Sequence, residues 1–87
     1  MHKTGYYEAA RIEVVRLLQE KRKRQNLSNY AVSQLSGISE TMLSRIASGE
    51  RIPSFEVMLR MADAVGVDFP ALIKKAQQVA EKKSRQA

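Results

Sequence analysis

Eighty-seven residues, 44% of them hydrophobic and 28% charged, suit one small soluble domain and are too few for two cores. The absence of cysteine excludes disulfides and thiolate metal sites, and fits a reducing compartment. The net charge of +6 divides into +4 over residues 1–27, −2 over 28–69 and +4 over 70–87, a balance that suits a polyanion partner or simply a solvated surface.

Helical periodicity runs through every long segment, and none alternates as a strand would. A first helix is predicted over about Tyr7 to Gln25, with Ile12, Val15, Leu18 and Arg22 as its stripe and Asn26 as a left-handed C-terminal cap. Ser28 has the character of an N-cap, and a second helix follows from Asn29 to Ser36 with Val32 and Leu35 inward. Gly37, suited to a positive φ, ends it. Ser39 caps a third helix, Glu40 to Ser48, with Leu43 and Ile46 inward and Gly49 as its stop. Ser54 caps a fourth, Phe55 to Val65, whose inner face is Met58, Met61, Ala62 and Val65. The two methionines are core filler, and Gly66 ends the helix. Asp68 caps a fifth, about residues 69–83, where Pro70 sits in the first turn without cost. Leu72, Ile73, Ala76, Val79 and Ala80 form its apolar stripe, and the tail "EKKSRQA" is expected to fray. The whole chain, 1–87, reads as a single all-α domain of five helices.

Residues 29–48 pose the functional question. Two short helices joined by a tight, glycine-containing turn form a helix-turn-helix unit. Val32, Ile38 and Leu43 can fill the angle between them, and the small Ser33 permits close crossing. The outward residues of the second of the two helices, Glu40, Thr41, Ser44, Arg45 and Ser48, are all polar or charged, as the major groove requires of a recognition helix. The stretch "RQNLSNYAVSQLSGISETMLSRIASGERIPSFEVMLRMADAVGV" resembles the phage-repressor and Cro-type helix-turn-helix family, also called the xenobiotic-response-element family. The matching features are Leu27-Ser28, Ser33 to Gly37, Leu43-Ser44-Arg45-Ile46, Gly49, Pro53-Ser54 and Val65-Gly66-Val67.

That resemblance implies a lambda-repressor-like fold and a transcriptional regulator that binds double-stranded DNA. It places Glu40, Thr41, Ser44 and Arg45 against bases. It places Asn29, Ser39, Gly49 and Arg51 against the backbone. Asn29 stands where glutamine is usual in the family, which shortens its reach. Ala47 stands where a glutamate commonly pairs with the arginine found here as Arg22, so we expect Arg22 to be free for a phosphate. On chemistry alone, the Arg45 fork matches guanine O6 and N7. Glu40 either accepts from cytosine N4 or complements the positive helix N-terminus. Thr41 suits a thymine methyl or a phosphate. The run Lys21 to Arg24 is either a solvated helix end or a flank for the DNA backbone. Tyr6 and Tyr7 are expected to pack the start of the first helix.

A single reader of this size covers few base pairs, so a homodimeric repressor on two half-sites is expected, with Ala76, Val79 and Ala80 pairing the copies. The alternative is a protein-interaction module of the same fold, such as an antitoxin holding a toxin. Catalytic equipment is sparse: there is one histidine, His2, to which no role is assigned, and there is no phosphate-binding glycine loop. No cofactor, metal or small-molecule ligand is expected. No apolar run approaches the ~20 residues that span a bilayer, and "MHKTGYYEAARIEV" lacks the apolar region of a secretory signal. We expect a cytoplasmic chain, complete as given, of bacterial or phage type.

Overall fold

Serine punctuates the chain where its helices begin. The computed structural model describes residues 5–86 and contains five helices: α1 (Tyr6–Arg24), α2 (Asn29–Ser36), α3 (Glu40–Ala47), α4 (Phe55–Val65) and α5 (Phe69–Gln86). His2 lies outside the described residues. Ser28, Ser39 and Ser54 each hold extended backbone angles and accept from the amide three residues on, at 3.0, 3.1 and 3.1 Å. Asp68 does the same for α5, accepting from the Ala71 amide at 3.2 Å. Each such cap contributes about 1 kcal/mol, which matters most for α2 and α3. At eight residues apiece these are too short to persist without tertiary support.

The C-terminal ends are equally specific. Asn26 takes a left-handed conformation at φ 56°, as its cap role predicts. Gly37 sits at φ 76°, where a Cβ would strain the backbone, and its amide donates to Ser33 O at 2.9 Å. α5 extends past the expected end near residue 83 and runs on to Gln86.

α1 packs most extensively against α5, and also against α3 and α4, while α2 packs on α3 and α4. The core that results is Val14, Leu17, Leu18, Val32, Ile38, Leu43, Ile46, Met61, Ala62, Val65, Phe69, Leu72 and Ala76. Two inward assignments are corrected. Leu35 is exposed, because Val32 and Ser36 carry the buried face of α2. Ile12 is exposed too, because α1 turns Tyr6, Glu13, Val14, Leu17 and Leu18 inward. A single stripe of Ile12, Val15, Leu18 and Arg22 does not describe the buried face of α1, which is covered by α5 as well as by α3 and α4.

The contact between α1 and α5 also corrects the pairing surface. Ala76 and Ala80 are each 0% exposed within the single chain, so neither is available to a second copy. Small residues at i and i+4 are what allow a helix to lie close against its neighbour. Of the three residues expected to pair, only Val79 retains partial exposure. Beside them lies a buried acid. Glu13, 2% exposed, receives hydrogen bonds from Arg16 and, at 3.3 Å, from Lys83 Nζ, so α5 is tied to α1 by a partly buried ion pair.

Candidate nucleic-acid interface

The unit spanning α2 and α3 is packed at its own seam and tied to α4. Val32, Ile38 and Leu43 are buried where the two helices meet. The Ser36 hydroxyl, itself buried, accepts from the Ile38 amide at 3.1 Å and closes the turn after Gly37. From α4, Arg60 Nη1 donates to Ser36 O at 3.2 Å, which satisfies a carbonyl at the end of α2. Gln25 Nε2 donates to Val65 O at 2.6 Å, linking the end of α1 to the end of α4. These two clamps escaped the sequence reading. They join residues 24 and 40 positions apart, and no local spacing announces such a pair.

With its inner face fixed by Leu43 and Ile46, α3 presents Glu40, Thr41, Ser44 and Arg45 to solvent, and the exposed Ser48 caps its end. Arg45 Nε lies 3.7 Å from Glu50 Oε2. This is an exposed, loosely held pair, weak enough for a competing anion to replace. The backbone below it is more strongly built. Arg45 O accepts from the amides of Glu50 and Arg51 at 2.9 and 3.1 Å and from the Ser48 hydroxyl at 3.0 Å, and Gly49 turns the chain at φ 84°. The backbone of Arg45 is thus anchored, while its guanidinium is held only by the exposed pair with Glu50 among the described residues.

The residues expected along the phosphate backbone divide. Asn29 is half-buried at the start of α2, and Arg51 is exposed beyond α3. Ser39 uses its hydroxyl oxygen to cap α3, which leaves the O–H proton to donate. The Gly49 amide donates to Ile46 O at 3.2 Å, so it is not an open donor. Arg22 departs further from expectation. Its Nε donates to Gln19 Oε1 at 3.0 Å and its Nη1 to Leu27 O at 2.7 Å. The missing acid at position 47 has not released this arginine, because the part-buried Leu27 carbonyl at the turn between α1 and α2 takes the guanidinium instead. Around it, Lys21, Lys23 and Arg24 are exposed in the last turn of α1, and Arg24 pairs with Glu20 at 3.0 Å.

Among the described residues no group of three or more His, Cys, Asp or Glu side chains is arranged to hold a metal ion. Also among the described residues, no helix is long and apolar enough to cross a membrane. What the arrangement offers is a short, polar, rigidly presented helix with a cation at its centre and further cations on the flanking turns. A family model described as helix-turn-helix matches residues 18–72, more than half of the chain and all of α2, α3 and α4. No curated protein and no solved structure gave a significant match.

Proposed function

We infer the function of this chain from its membership of the helix-turn-helix family, of the lambda-repressor-like, xenobiotic-response-element type whose members are DNA-binding regulators. From that premise we propose that it is a sequence-specific repressor. In this reading two copies occupy an operator, and α3 of each reads a half-site in the major groove. The observation that carries the proposal is the outward face of α3, where Glu40, Thr41, Ser44 and Arg45 are exposed together while Leu43 and Ile46 are buried behind them. Arg45 reads guanine through its fork, and Thr41 and Ser44 adjust the fit beside it. Asn29, Arg51 and the Ser39 hydroxyl set the register on phosphates. Blocking of promoter access follows from occupancy alone, so repression needs no further machinery.

The test is fluorescence anisotropy with duplex from upstream of the protein's own gene, against scrambled duplex, over a salt series. The proposal expects binding to the natural sequence to be tighter by ~10³-fold or more and to weaken steeply with salt. Equal, weak binding to both duplexes would contradict self-regulation through this operator.

A further inference from the structure

A groove of about 370 Å³ runs between α1 and the end of α3 with its following loop. Its apolar lining is Ile12 and Val15 from α1, Ile46 from α3 and Pro53 from the loop. Ile12 is 51% exposed, although Glu13, Val14, Leu17 and Leu18 on the same helix are buried. Ala47 is exposed in the same lining, so no long side chain covers the groove from the end of α3.

Four cations line the groove as well, Arg11, Arg16, Lys23 and Arg51, and no acid does. Arg16 is engaged by Glu13 and Glu20. Arg11, Lys23 and Arg51 have no ion-pair partner among the described residues. A cleft of similar size between the end of α1 and the start of α5 differs in this respect. It mixes Glu20 and Asp68 with Lys21, Arg24 and Lys75, so it carries no comparable preference for an anion.

We propose that the groove between α1 and α3 is a docking site for an acidic amphipathic helix of a partner protein. The apolar stripe of that helix covers Ile12, Val15 and Pro53, and its acids meet Arg11, Lys23 and Arg51. Charge and spacing select this occupant. A second copy of the same groove brings like charges together. DNA phosphates satisfy the cations but offer nothing apolar to Ile12. Arg11 and Lys23 stand twelve residues apart on α1, or ~18 Å at the helical rise, further than one small anion reaches. A helix of roughly three turns spans that distance with an acid near each end. Arg51 is also among the residues set against the DNA backbone, so an occupied groove withdraws it from phosphate. That consequence rests on the proposed DNA reading. The docking itself does not.

The test is selection from a random phage-displayed library of peptides of about 16 residues, enough for the three turns required, against the immobilised full chain without DNA. Enriched peptides are expected to carry acids beside an apolar stripe of helical period. Measured singly by anisotropy, they are expected to bind at least ~5-fold more weakly to Ile12→Ser and, separately, to Arg11→Gln. Lys75→Gln, outside the groove, is expected to leave their affinity unchanged. Thermal melting shows that each variant is folded, and two independent groove variants keep the test decisive if one is not. No enrichment, enrichment of peptides without acids, wild-type affinity in the folded groove variants, or an equal loss in Lys75→Gln would each overturn the proposal. With peptide at saturation, operator duplex is expected to bind at least ~5-fold more weakly. Unaltered duplex affinity would overturn the consequence for DNA alone. A chain that binds no operator leaves the peptide result intact.

Discussion

Arg45 is the residue on which sequence reading of DNA is expected to depend. Its side chain is half exposed, its backbone carbonyl is anchored by three donors, and its guanidinium is loosely paired with Glu50. Arg45→Ala is expected to lose about 1–3 kcal/mol of discrimination between operator and scrambled duplex, while leaving the melting temperature nearly unchanged. Anisotropy competition reads the first quantity and thermal denaturation the second. Glu13 makes the opposite kind of contribution, to stability alone. Burial raises its carboxyl, but the hydrogen bonds and charges of Arg16 and Lys83 outweigh burial and hold the group below its ordinary value. A depressed carboxyl contributes stability that is complete above the unfolded value and is lost as the pH falls through the folded one. Glu13→Gln should therefore flatten the acid limb of the stability profile, measured by denaturant unfolding from about pH 7 down to about pH 3. An acid limb as steep as that of wild type would show that the ion pair is energetically idle.

At the scale of elements, the turn between α1 and α2 separates two roles for one arginine. Arg22 caps Leu27 O in the free protein, so Arg22→Ala should cost roughly 1–2 kcal/mol of stability. The salt slope of DNA binding should stay unchanged, whereas a lost phosphate contact would lower it by about 1. The helices themselves were legible in the sequence because their signals are local. Ser28, Ser39, Ser54 and Asp68 announce starts, Gly37 and Gly66 announce stops, and α2 and α4 fall where these residues predict. Which face each helix buries was less legible, because that depends on how many neighbours cover it. Val32, Leu43 and Ile46 face inward as read, but Leu35 and Ile12 do not, and Ala80 is buried rather than presented. The polar clamps from Arg60 and Gln25 were invisible for the same reason, since their partners are distant in the chain. The outward face of α3 was legible because a helix with two fixed inward residues has only one remaining side. Whether each outward residue meets a base is set by the DNA, and the protein's own periodicity carries no record of it.

For the molecule as a whole, the arrangement of charge supports the division of labour among its surfaces. Basic residues concentrate in α1 and α5, the acidic excess lies in the middle, and α3 stands out from that middle with Arg45 at its centre. In the proposed reading, long-range attraction to DNA comes from the whole chain and discrimination from one short helix. The central claim, that two copies read two half-sites through α3, is tested most directly by selecting binders from a random duplex library with the purified protein and sequencing the survivors. The account predicts an enriched inverted repeat whose half-site centres lie about 10 base pairs apart, with loss of one preferred G·C pair per half-site in Arg45→Ala. Survivors with no enriched sequence, or with a single unrepeated site unaffected by Arg45→Ala, would contradict it.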